Sequence, residues 1–335
     1  MLKKIVCTAV LAASFASNAF ASNQIRAAGS STVYPFITVA AEEFGRGGKF
    51  RTPIIESTGT GGGFKLFCEG VGGQTIDLSN ASRAIKQSER ELCTKNGVTD
   101  ITEIKIGYDG IVVANVIGAP KFDLSKKQIF NALAKKLPVN GKLVDNPNKK
   151  WSDVDSSFPD TKIEVYGPPP TSGTRDAFVE LVMEKACVKL PEFVSAFPEK
   201  KARKKACHLV REDGAFIETG ENDNLIVQKL QSNDKALGVF GFSFLDQNKA
   251  LVQGSKVSGF EPTFENISSG DYPISRSLYV YLKDAHIGKT PGLKEFAKEL
   301  VSEKSIGEEG YLIDKGLIPL SEEEFASINN TINSK

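Results

Sequence analysis

Short β-rich runs alternate with helical patterns along most of this chain, and that alternation confines it to an α/β fold with mainly parallel sheets. Strands are predicted at Gln24–Ala28, Pro53–Glu56, Ile76–Ser82, Ile101–Ile106, Ile111–Val116, Lys162–Tyr166, Leu237–Gly241 and Leu278–Leu282. Between them, Val33, Ile37, Ala40, Ala41 and Phe44 share one helical face, and Leu293, Phe296, Ala297, Leu300 and Val301 share another. Ser88-x-x-Glu91 and Ser125-x-x-Gln128 have the spacing of capping boxes that start further helices. The polar stretch Pro138–Pro159 reads as a long surface loop. A length of 335 residues suits two packed domains rather than one.

Composition then narrows the function. With 42 Lys+Arg against 41 Asp+Glu, the chain has no basic field for gripping nucleic acid. Its two histidines, His208 and His286, give no basis for a multi-His metal site, and no cofactor is expected. The basic start Met1-Leu2-Lys3-Lys4, the apolar run Ile5–Phe15 and the small-x-small Ala19-Phe20-Ala21 follow the order of a secretory signal peptide. Residues 1–21 are therefore expected to be cleaved after Ala21 on export to the periplasm, and the apolar run is shorter than the roughly 20 residues a membrane span needs. Cys68, Cys93, Cys187 and Cys207 are left, an even number that suggests disulfides in an exported chain. Nearest-neighbour pairing gives Cys68–Cys93 and Cys187–Cys207, one of three formal pairings, with buried free thiols as the alternative. No CxxC pair is present to suggest zinc.

Three strand-to-helix junctions are packed with glycine and hydroxyl residues: Gly29-Ser30-Ser31-Thr32-Val33-Tyr34-Pro35, Ser57-Thr58-Gly59-Thr60-Gly61-Gly62-Gly63, and Pro170-Thr171-Ser172-Gly173-Thr174-Arg175-Asp176. Pro35 suits the first position of a helix. Each junction can aim free N–H groups and hydroxyls at one point, which is how helix N-termini hold oxyanions. One alone would be an ordinary cap; three in one chain argue for an anion site. The glycine loop lacks the Gly-Lys-Ser/Thr of a nucleotide P-loop and the spacing of a dinucleotide fingerprint. Ser172 beside Gly173 raises a serine phosphatase or esterase as a rival, against which stand the missing G-x-S-x-G elbow and the absence of a triad context for either histidine.

Thr171–Phe178, together with Ala28–Thr32 and Asp77–Arg83, resembles the phosphate-binding protein of the phosphate ABC transporter, the PstS type, and the resemblance runs on to Tyr311–Leu320. It implies a two-lobed type II periplasmic binding fold, two mixed sheets flanked by helices, with dehydrated phosphate between lobes joined by two crossover strands. On this chain it implies lobe I at 22–110 plus 279–335, lobe II at 111–278, and phosphate near Ser31, Thr32, the Val33 backbone, Thr60, Ser82, Ser172, Gly173 and Thr174. It also implies a monomer that delivers its ligand to transmembrane permease subunits.

Two departures matter. Arg83 stands where the family's best-known members carry aspartate, and Pro168 where they carry arginine. Arg83 and Arg175 are the expected replacements for the guanidinium, since its planar fork matches phosphate oxygens. Phosphate keeps a proton near neutral pH and sulfate has none, so a selective site needs an acceptor; Asp109, in Gly107-Tyr108-Asp109-Gly110, is the candidate, ahead of Asp77 and Asp176. The Thr219–Asn224 stretch, Tyr34, Tyr108 and Tyr272 are further cleft candidates. Sulfate, molybdate or a phosphonate is the alternative ligand class.

Overall fold

The computed structural model describes residues 23–220 and 223–335; the expected signal peptide lies outside them. Nine strands join into one mixed sheet. At one end Arg26–Gly29 pairs in parallel with Ile54–Ser57 and Leu78–Ala81. At the other, Val165–Gly167 pairs in parallel with Phe216–Glu218 and Leu237–Gly241. Two long antiparallel strands, Ile101–Val116 and Ser275–Lys283, lie between the parallel groups, and Val252–Gly254 pairs with the far end of the first. The expectation of mainly parallel sheets is thus corrected: a chain that passes from one half to the other and back needs these central antiparallel strands. The result is the two-lobed type II binding-protein fold.

The predicted helical stripes are buried. Ile37, Ala40 and Ala41 of helix Tyr34–Arg46 and Phe296, Ala297 and Leu300 of helix Leu293–Leu300 are buried, and the Phe44 and Phe296 rings lie 5.2 Å apart. Burial of each large side chain stabilises by about 1.5–3 kcal/mol. The Ser125 box forms as spaced: Gln128 N–H donates to Ser125 Oγ at 3.2 Å and Ser125 N–H to Gln128 Oε1 at 2.8 Å. The other box is displaced. Its helix starts at Gln87, and Glu89, rather than Glu91, takes the Lys86 N–H at 2.9 Å.

Two further expectations are corrected. Segments 101–106 and 111–116 are one 16-residue strand. Its pairing shifts so that Leu278 faces Gly107 and Tyr279 faces Lys105, leaving Ile106 as the extra residue of a bulge that bends the strand just before Asp109. The stretch 138–159 is not a plain loop: Lys136–Val139 and Lys142–Asp145 form a hairpin, and Trp151, buried, opens a short helix. Asn140 and Gly141 both have positive φ at its turn, the geometry Asn-Gly favours.

The disulfides are Cys68–Cys93 and Cys187–Cys207. Asp77 is part of the scaffold: it accepts from Arg26 N–H (2.8 Å) and Thr290 Oγ1 (2.7 Å) and lies 2.7 Å from His286 Nδ1. No helix among the described residues is long and apolar enough to cross a membrane.

Candidate functional site

The parallel strands Arg26–Gly29, Ile54–Ser57 and Leu78–Ala81 end side by side, with Gly29 opposite both Ser57 and Asn80. In an open α/β sheet the carboxyl ends of the strands are where ligands bind. The first two junctions leave from these ends. Gly63 lets helix Thr60–Phe67 sit against the first strand, since a Cβ there would fall 2.6 Å from Ala28 O. Gly59, at φ +73°, turns the chain into that helix. Thr60 Oγ1 accepts from Ser82 N–H and lies 3.2 Å from Ser82 Oγ, so the second junction and the end of the third strand meet.

The third junction leaves the carboxyl end of Val165–Gly167. Ser172 Oγ caps its helix by accepting from Thr174 N–H at 3.2 Å. A Cβ on Gly173 would lie 3.7 Å from Thr32 Cα and 3.8 Å from Ser31 O, so this turn touches the first junction. Ser30, Thr32, Ser82 and Ser172 are all buried. The backbone thus sets the Ser31–Val33 junction against the Ser172–Thr174 turn, and joins Thr60 to Ser82 at the ends of the neighbouring strands.

The guanidinium at this meeting point belongs to a residue the sequence reading passed over. Arg276 lies directly across the central strand pair from Asp109. Its Nε donates to Asp109 Oδ2 (3.2 Å), Nη1 to Glu180 Oε2 (2.6 Å) and Nη2 to Thr32 Oγ1 (2.6 Å). One side chain on a crossover strand therefore ties the first junction, the other crossover strand and the helical segment after Phe178. Its side chain is 10% exposed and that of Asp109 14%. Burial raises the Asp109 pKa, Arg276 opposes the rise, and the Glu180 charge adds to it.

Both expected arginines have partners within the protein. Arg83 forms a two-pronged pair with Glu89 at 2.8 and 2.7 Å and packs on the Phe64 ring. Arg175 donates to Pro168 O at 2.9 Å and to Glu218 at 3.4 Å, with its guanidinium over the Phe216 ring; desolvation lowers its pKa. The pattern that could have revealed Arg276 is strand alternation: Arg276 lies in step with buried Leu278, Val280 and Leu282, an unusual place for a cation. Asp176 sits in the first turn after Ser172. Tyr108 donates to Glu324 instead of facing the junctions, and Tyr272 is fully buried. The two histidines bind away from Ser172, His208 to Glu184 and His286 to Asp77.

The sequence matches the PBP superfamily domain over residues 16–304. It is 31% identical to the phosphate-binding protein PstS of Staphylococcus saprophyticus, over 90% of this chain and 82% of that one. The chain belongs to the PstS family. Protein SphX of Synechococcus elongatus is 30% identical over 78% of this chain and 68% of its own. Among solved structures, a possible phosphate-binding protein of Planctomyces limnophilus superposes with a TM-score of 0.75 at 28% identity, covering 93% of this chain and 98% of that one. An ABC-type phosphate transport receptor of Vibrio cholerae shares the fold, with a TM-score of 0.57 at 18% identity.

Proposed function

We propose that this protein is a periplasmic solute-binding protein that captures inorganic phosphate between its lobes, roughly 22–110 with 279–335 and 111–278, and hands it to an ABC-type permease. The observation that carries this reading is the convergence of two junctions and a crossover arginine on Thr32. Relatives named for phosphate binding support the choice of anion. The hydroxyls of Ser31, Thr32, Thr60, Ser82, Ser172 and Thr174, with the N–H groups of Val33 and Gly173, would donate to phosphate oxygens, as helix N-termini do. Arg276 takes the place held open for Arg83 or Arg175. Three of its five N–H donors hold protein groups, and the rest are free for the anion.

Because contacts come from both lobes, phosphate binds the closed arrangement more tightly and shifts the population toward it. Ser172 is read as a donor rather than a nucleophile, since neither histidine bonds to it. Equilibrium dialysis of ligand-stripped protein with radiolabelled phosphate is the test. One phosphate retained per chain, with no release of alcohol from a phosphoester, is expected; turnover of the ester would favour the hydrolase.

A further inference from the structure

Asp223 precedes helix Asn224–Ser232, where a carboxylate ordinarily accepts N–H groups of the first turn; its side chain makes no such bond. One oxygen, Oδ2, accepts instead from Gly241 N–H at 2.9 Å. The other, Oδ1, is buried without a hydrogen-bond partner, on a residue only 2% exposed. A buried carboxylate with an idle oxygen is a standing cost that folding alone does not explain. Its position supplies a reason. Gly241 ends the strand next to Val165–Gly167, whose own end feeds the Ser172 turn, and Gly241 pairs with Ile111, two residues from Asp109. Asp223 therefore stands at the carboxyl edge of the second lobe's sheet, within electrostatic reach of Asp109.

We propose that Asp223, rather than Asp109, accepts the proton of bound phosphate, while Asp109 is the positioning residue that holds Arg276. The inference rests on the phosphate reading above. Phosphate O–H donates to Oδ1, satisfying the idle oxygen; sulfate, with no proton, would set its oxygens against a buried negative charge. Asp109 is already ion-paired with the Arg276 guanidinium, whereas the one hydrogen bond to Asp223 comes from a neutral backbone N–H and leaves its buried Oδ1 unpartnered.

The test is calorimetric titration of the mature chain with phosphate and with sulfate, comparing wild type, Asp223→Asn and Asp109→Asn. Asp223→Asn should weaken phosphate binding by roughly tenfold to a hundredfold, the worth of a charge-assisted hydrogen bond, and should narrow the preference over sulfate. Asp109→Asn should weaken both anions together, because it loosens Arg276. Unchanged phosphate affinity and unchanged preference in a folded Asp223→Asn chain would overturn the assignment. A wild type that binds no phosphate would instead overturn the reading beneath it. Should Asp223→Asn fail to fold, the Asp223 carboxyl carbon resonance of the wild type decides: it should move on adding phosphate and not on adding sulfate, and a resonance indifferent to phosphate refutes the role.

Discussion

Arg276 holds three groups that come from three separate parts of the chain, so its loss should cost more than one hydrogen bond. Arg276→Ala would leave Asp109 buried beside Glu180 without a counter-charge, a situation worth about 3–5 kcal/mol in other proteins. Phosphate binding should fall to near background by calorimetry, and an affinity within threefold of wild type would remove Arg276 from the site. Asp223 makes an opposite stability prediction. Burial, opposed by the Gly241 N–H and reinforced by the Asp109 charge, raises its pKa from 3.8 to about 6. With the folded value above the unfolded one, the folded state binds the extra proton between these values, so stability falls as pH rises from about 4 to 6 and stays lower beyond. At about 1.4 kcal/mol per unit, the cost at neutral pH is on the order of 3 kcal/mol. Asp223→Asn should therefore raise the melting temperature of ligand-free protein at pH 7 even as it weakens phosphate binding, and should raise it little at pH 4. A lower melting temperature at both would show that the carboxylate is structural.

At the scale of elements, much could be read from residue patterns and some could not. The hydroxyl-rich junctions were legible because three recur in one chain where one alone would be an ordinary helix cap, and the structure puts all three at carboxyl ends of strands. The hairpin at 136–145 was hidden by its polar surroundings, although Asn140-Gly141 is itself a turn signal. Arg83 shows a different limit. Its replacement of an aspartate pointed to the anion, but Glu89, six residues on, holds the guanidinium locally. Spacing along a chain shows such a local pair less readily than it shows a periodic apolar face, whereas Arg276 and Asp109 meet only through the pairing of distant strands. The helix Lys200–Cys207 is fastened to the segment before it by Cys187–Cys207, a separation of 20 residues. Replacing both cysteines by serine should lower stability by about 2–4 kcal/mol in denaturant unfolding, with phosphate affinity little changed. A large loss of affinity would mean that this region shapes the cleft.

For the whole molecule, the charge balance and the site answer one another. The formal charge of the full chain is +1, and the expected signal peptide includes Lys3 and Lys4, so capture of an anion must rest on local donors rather than an overall field. On the proposed reading, local donors act together only when the lobes meet. A Cβ added to Gly173 would stand at ordinary contact distance from Thr32 and Pro35, which leaves room for a methyl group and little more. Gly173→Leu should prop the lobes apart: X-ray scattering should show no compaction on adding phosphate, and binding should weaken by at least tenfold, while Gly173→Ala should still close. Compaction of the leucine variant equal to wild type would mean that the contact does not gate closure. The central claim, a single enclosed site for a proton-bearing tetrahedral anion, is tested most directly by titrating ligand-stripped wild-type protein with phosphate and sulfate in a calorimeter at neutral pH. The account predicts one phosphate per chain and no competing sulfate binding at equal concentration; sulfate bound as tightly as phosphate, or no phosphate bound at all, would contradict it.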